Sequence, residues 1–222
     1  MQFHTSSRLG WGRMTSTITA YYISKTETNK MKKETTETTI TIPKMQVQTM
    51  ELTLVGDSAL ICHAWSSKAK QEMLDKQQKK AKTAREAKDP DQLYKDSLYH
   101  MPGDKYGFPA VAFKSAAVDA CSHVSEITKV EARGAFHIIG DMVEIIGKPS
   151  MRTDMVRIGP GIADIRFRGE FKDWKAKILI RYNTGVLTAE QIVNLFSTAG
   201  FAIGVGEWRP QKDGSCGMFH CE

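Results

Sequence analysis

The chain has little of what would build a covalent framework or a recognisable catalytic motif. Cysteine occurs only four times in 222 residues, and so few, without an apolar block of about 7 to 15 residues near the start to direct secretion, predict thiols rather than a disulfide framework. No run approaches the roughly 18 consecutive apolar residues that span a bilayer. The expectation is therefore an intracellular protein with no membrane partner. Lys212 is followed by Asp213-Gly214, which is not a phosphate-binding Walker loop, and no dinucleotide fingerprint is present. His100, His123 and His137 have no Ser or Cys partner at a motif spacing, so a hydrolytic triad has no support. No cofactor is expected.

What is present is an ordinary globular balance, 41% hydrophobic and 25% charged, enough for one core with appendages. The formal net charge of +6 is unevenly spread. Residues 1–50 hold seven Lys or Arg against three Glu, and residues 68–88 hold eight against Glu72, Asp75 and Glu86, whereas residues 89–222 hold sixteen against seventeen acids. The basic excess sits in an arm, 1–44, and in a segment, 67–105, inserted into a single domain, 45–222. A polyanion met by appendages suits that distribution, because net charge governs association rather than fold; solvated surface is the plainer alternative. The arm is rich in Thr and Ser, has no acid before Glu27, and reads as disordered or extended. Met14, Met31 and Met45 offer alternative starts, and the acid-free opening has a superficial likeness to a transit peptide without its amphipathic stripe.

Leu52 and Leu54, the Gly56-Asp57 turn and the apolar run 59–65 predict a strand at 50–54 within a hairpin or bulged strand. Ser66-Ser67 then offers the N-cap of a helix over 68–88, stopped by Asp89-Pro90. Its only large apolar residues are Met73 and Leu74, so it has no stripe to pack and is expected as an exposed basic helix carrying Lys79, Lys80, Lys82 and Arg85. Val111, Ala112, Ala116, Ala117, Ala120, Cys121 and Val124 recur at helical spacing over 111–123. Strands are predicted at 135–139 and 142–146, joined by a Gly140-Asp141 turn, with a loop over 149–160. Thr188 and Gln191 have the capping-box spacing of a helix over 188–198, ended by Gly200 and followed by a strand at 201–205.

The most patterned stretch lies between. In 162–171, Ile165, Phe167 and Phe171 alternate with Asp164, Arg166, Arg168 and Glu170; in 174–182, Trp174, Ala176, Ile178, Ile180 and Tyr182 alternate with Lys175, Lys177 and Arg181. A two-residue turn at Lys172-Asp173 would set Glu170 opposite Lys175, Asp164 opposite Arg181 and Arg168 opposite Lys177. A like-charge pair costs a few tenths of a kcal/mol unless an anion or an acid offsets it, which makes this face a candidate phosphate-binding surface; a solvated face is again the plainer reading. The order strand, helix, strand, strand, helix, strand predicts an α+β, ferredoxin-like (RNA-recognition-type) βαββαβ core with an inserted basic helix and an extra hairpin. In RNA-recognition modules the open sheet face binds single strands by stacking and charge. No aromatic falls on the charged side of these two strands. A stacking group would come from residues 199–219, where glycines at 200, 204, 206, 214 and 217 surround Trp208-Arg209-Pro210. Gly204 and Gly206 would let backbone approach a phosphate, Trp208 would stack and Arg209 would bind the phosphate; a glycine-rich turn with Trp208 as a hydrophobic plug is the alternative.

The early apolar hairpin, the stretch Tyr106 to Ala117 (YGFPAVAFKSAA) and the late Gly204-Val205-Gly206-Glu207-Trp208-Arg209 together resemble uncharacterised proteins of bacteriophages and mobile elements. Over residues 46–222 they also look distantly like the RAMP superfamily, the backbone subunits of CRISPR effector complexes, although Glu207-Trp208-Arg209-Pro210 is not part of that group's pattern. The resemblance implies binding along a nucleic-acid backbone, with Lys114, Gly204, Gly206 and Arg209 carrying over, a cytoplasmic location in a bacterial or phage-infected cell, and effector-complex subunits or further copies of the chain as partners.

Metal and catalytic readings are weaker. Cys216, His220 and Cys221, with Cys62-His63, would need the sheet termini to meet before they could hold zinc. Metal-independent RNA cleavage would need His63 or His137 beside a general acid. The expectation is a non-enzymatic binder of single-stranded RNA or DNA using Arg166, Arg168, Lys175, Lys177 and Arg181, with Trp208 and Arg209. An assembly protein that oligomerises through its sheet is the alternative, and an endoribonuclease a minor one.

Overall fold

The computed structural model describes residues 44–80, 87–157, 159 and 161–222. All but the last residue of the predicted arm, together with Lys82 and Arg85, lies outside them. In chain order the strands and α-helices are β1 (Val47–Gly56), β2 (Leu60–Cys62), α1 (Ser67–Gln77), α2 (Pro90–Ser97), β3 (Tyr99–Met101), β4 (Lys105–Pro109), α3 (Ala110–Ala120), α4 (Lys129–Ala135), β5 (Phe136–Ile138), β6 (Met142–Arg157), β7 (Ala163–Asn183), α5 (Ala189–Ala202) and β8 (Phe219–Cys221). They make a mixed α/β fold around one antiparallel sheet in the order β3-β4-β6-β7-β1-β8. No helix among the described residues is long and apolar enough to cross a membrane.

The sheet is organised around β7, which corrects the predicted hairpin. Residues 162–171 and 174–182 are not two strands joined at Lys172-Asp173 but parts of one 21-residue strand. Both Phe171 and Trp174 are buried, three positions apart, so an irregularity at Lys172-Asp173 turns both of these rings to the core, while farther out along the first half Ile165 is exposed. Neither residue of that pair is at positive φ, as the favoured two-residue hairpin turns require. β7 instead finds partners along both edges. Lys175 pairs with Val55 of β1 on one side and Ile146 of β6 on the other; Phe171 pairs with Leu60 of β2, and Ile180 with Ile138 of β5. Thus β1 and β2 line one edge, and β5 and β6 the other. Gly140-Asp141 therefore interrupts one edge rather than closing a hairpin, since β5 and β6 both pair with β7.

Two further strand assignments change. The predicted loop over 149–160 is largely β6, with Pro149 at the register shift, where the missing N–H is tolerated. The strand predicted at 201–205 is the end of α5 and a turn, and the closing strand is β8, paired with β1. Gly200 does not end α5. A Cβ there would lie 1.7 Å from the Phe219 carbonyl oxygen, so glycine is what lets β8 cross the helix.

The helices follow their local signals more closely. Thr188 Oγ1 accepts from Gln191 N at 3.2 Å and Gln191 Oε1 from Thr188 N at 2.9 Å, the predicted capping box. Thr128 and Glu131 form a second, which starts α4. Ser66 caps α1, which buries no residue. Asp89-Pro90 begins α2 rather than ending the earlier helix, because Asp89 caps it and proline suits the first helical position. The Ser97 hydroxyl accepts from Gly169 N at 2.7 Å, and both Ser97 and Leu98 are buried, so the later part of the segment 67–105 is built into the body. The core lies between the helices α3 and α5 and one face of the sheet, with Phe113, Phe136, Phe196 and Phe219 fully buried and in edge-to-face contacts.

Candidate functional site

Alternation along the second half of β7 buries Ala176, Ile178 and Ile180 and exposes Lys175, Lys177, Leu179 and Arg181. These exposed side chains share the sheet face opposite the packed helices. Lys175 Nζ lies 2.9 Å from Glu222 Oε2, and Lys177 Nζ 3.3 Å from Glu51 Oε1. Both pairs are more than half exposed, so each contributes little and yields readily to another anion. Arg181 is set opposite Thr49 and His137 and has no ion-pair partner among the described residues. Lys114 reaches the same end of the sheet. Its ammonium donates to the Arg133 carbonyl and to His137 Nδ1, each at 3.0 Å, and lies over the Phe136 ring. Burial pulls its pKa below the usual lysine range. The structure thus brings Lys114 together with Arg181, through His137, and not with Arg209.

Arg166 and Arg168 have a different setting from the one predicted. Arg168 is opposite Arg152 on β6, not Lys177, and Lys177 is opposite Thr53 on β1. Arg168 is only 7% exposed and therefore no part of an open charged surface. Arg152 Nε donates to Asp154 at 2.8 Å, Arg152 Nη1 to Glu170 at 2.9 Å, and Arg168 Nη1 meets Asp154 at 3.5 Å. The like-charge pair expected of this strand exists, with Arg152 as partner, and two buried acids offset it. Arg168 Nε is buried without a hydrogen-bond partner. Arg166, half-exposed, lies 3.2 Å from Asp164.

The glycine-rich stretch forms a stitched loop against β2. Val205 N donates to the Gly217 carbonyl, Glu207 N to the Ile61 carbonyl, Cys216 N to the Trp208 carbonyl and Gly217 N to the Ala59 carbonyl, all within 3.1 Å. Gly206 has φ +82°, and a Cβ there would meet the Ile61 carbonyl oxygen at 2.6 Å. Trp208 is also left-handed, at φ +55°, which is strained for a bulky side chain. It is 44% exposed, so it is a presented ring rather than a hydrophobic plug. Arg209 is anchored by its bonds to the Gly206 carbonyl at 3.0 Å and Gln211 Oε1 at 3.2 Å.

Between this loop and α3 lies a half-open cleft of about 340 Å³, lined in part by Phe108, Ala112, Ser115, Val205, Glu207 and Arg209. His63 stands at its edge with Nδ1 3.3 Å from Glu207 Oε1. That hydrogen bond, with the charges of Arg168 and Arg209, holds the Glu207 carboxyl below the usual carboxylate range. Glu207 was not singled out from the sequence, and no local signal joins it to a histidine 144 residues away.

Lys79 and Lys80 lie just past α1, with Lys80 Nζ 2.8 Å from Asp75. All four cysteines are free thiols, and burial pushes Cys62 up to about 12. Among the described residues no three His, Cys, Asp or Glu side chains are grouped to hold a metal ion.

No protein-family model matches the chain. No curated protein matches it. Among solved structures, the chain is similar to Cmr6 from Pyrococcus furiosus, with a TM-score of 0.42 and 11% identity over 80% of this chain and 99% of that one.

Proposed function

We propose that the protein binds single-stranded nucleic acid, as a binding protein rather than an enzyme, across the open face of its sheet. The observation that carries this reading is the cationic stripe on β7: Lys175, Lys177 and Arg181 stand on the face that α3 and α5 leave bare, continued by His137 and Lys114 at one end. Their carboxylate partners are exposed and weakly held, so phosphates compete with them at little cost. Just past α1, which buries no residue, the exposed Lys79 and Lys80 add a second cationic element. Trp208 and Arg209, on a loop tied to Ala59 and Ile61 by backbone hydrogen bonds, supply a stacking ring and a phosphate contact. We class the core β1-α3-β6-β7-α5-β8 as ferredoxin-like; the sheet order β6-β7-β1-β8 supports that class.

The test is the salt dependence of binding to a labelled single-stranded oligonucleotide. Three to four neutralised phosphates give a log-log slope of about −2 to −3, and replacing Lys175, Lys177 and Arg181 by Gln removes about 2 of it. A slope near zero defeats the reading. Ile139, Ile146 and Leu179 are also exposed on this face, so a concentration-dependent dimer that neither binds nucleic acid nor responds to salt would favour assembly through the sheet instead.

A further inference from the structure

The cleft beside the glycine-rich loop has the chemistry of a base-reading site. Its room comes from α3, which presents Ala112, Ser115 and Ala116 to it where larger side chains would fill the space. Phe108, Ile203 and Val205 contribute apolar surface suited to the face of a planar ring. The rim is polar and immobilised. Glu207 is tied at its backbone N to Ile61 and at Oε1 to His63, and its other carboxylate oxygen has no hydrogen-bond partner among the described residues. Arg209 is held by Gly206 and Gln211. A carboxylate beside an apolar floor accepts hydrogen bonds strongly and donates none.

Resting on the nucleic-acid reading, we infer that this cleft takes one unpaired guanine of the bound strand, with Glu207 reading its Watson–Crick edge. Guanine is the nucleobase whose ring N–H and exocyclic amine are adjacent donors, matching the two oxygens of a carboxylate. Its neighbouring carbonyl oxygen, O6, is an acceptor suited to the Arg209 cation two residues along the same loop. Uracil and thymine present carbonyls on both sides of a single N–H, and those oxygens repel Glu207. Adenine and cytosine each offer one donor beside an unprotonated ring nitrogen, which repels the second carboxylate oxygen. Trp208, exposed next to Glu207, is placed to stack on the adjoining nucleotide.

The experiment compares the full-length protein's affinity for oligo-uridine and for the same oligomer with one central guanosine, by fluorescence anisotropy at fixed salt. The wild type is expected to favour the guanosine oligomer about tenfold. Glu207→Gln replaces one acceptor by a donor but leaves the backbone tie to Ile61; Ser115→Phe fills the cleft from an exposed helix position. Both are expected to bring the ratio close to one while oligo-uridine still binds. Equal wild-type affinity for the two oligomers overturns the inference, as does a preference that survives either variant. Failure to bind either oligomer defeats the nucleic-acid reading itself, an outcome distinct from binding without preference.

Discussion

Replacing Asp154 by Asn tests whether charge balance holds the outer part of the β6–β7 pair. Asp154 is buried, accepts from Arg152 Nε at 2.8 Å and lies 3.5 Å from Arg168 Nη1, and these two arginines face each other across the strands. Neutralising it leaves Glu170 as the buried acid beside two opposed cations. Breaking a buried ion pair by removing one partner costs about 3–5 kcal/mol. The Asn carbonyl still accepts one hydrogen bond from Arg152, which returns about 1 kcal/mol, for an expected net loss of about 2–4 kcal/mol. Arg168→Met is the counterpart. It removes a buried cation whose Nε has no partner, keeps the bulk of the side-chain stem and leaves Asp154 paired with Arg152, so it should stay within about 1 kcal/mol of wild type. Urea unfolding followed by far-UV circular dichroism and the fluorescence of buried Trp174 reads the global change, and amide exchange over β6 reads opening of these strands alone. If Asp154→Asn is neutral in both measurements, or Arg168→Met costs as much as Asp154→Asn, the strands are not held by this network.

Lys177→Glu should destabilise by a few tenths of a kcal/mol, because it sets a second carboxylate beside Glu51 in place of the present pair, and it should weaken oligonucleotide binding; a rise in urea midpoint would refute the observed register. Replacing Lys79 and Lys80 by Gln should lower affinity with no change in melting temperature, since α1 buries no residue; a fall in melting temperature would show that the helix packs on the body. Gly200→Ala should cost at least about 1–3 kcal/mol, read by thermal unfolding, because the added methyl overlaps the Phe219 carbonyl and must push β8 off α5.

The legible parts of the site were those written in a single strand. Lys175, Lys177 and Arg181 alternate with Trp174, Ala176, Ile178 and Ile180, and a period of two puts the charged side chains on one face and the apolar ones on the other. The same pattern misled over Arg168, since alternation separates two faces but does not say whether a charged face meets water or two buried acids. The glycines of 204–217 marked a loop, yet its anchoring to Ala59 and Ile61, and with it the cleft, depended on contacts far apart in the chain.

By itself the sequence determined the properties that depend on neighbours a few residues away. The capping box at Thr188 and Gln191 is satisfied within one turn, the failure of α1 to pack follows from its lack of an apolar stripe, and the alternation of buried and exposed residues from Trp174 to Tyr182 follows from backbone pleat. Only the tertiary structure decided that β7 is one strand and not a hairpin, that Arg152 rather than Lys177 faces Arg168, that β8 and not 201–205 closes the sheet, and that His63 meets Glu207. Those outcomes rest on which edges and side chains are left unpaired once every other element is in place. A local pattern names the groups that need partners, and the competition among all strands and helices for those partners is settled across the whole chain.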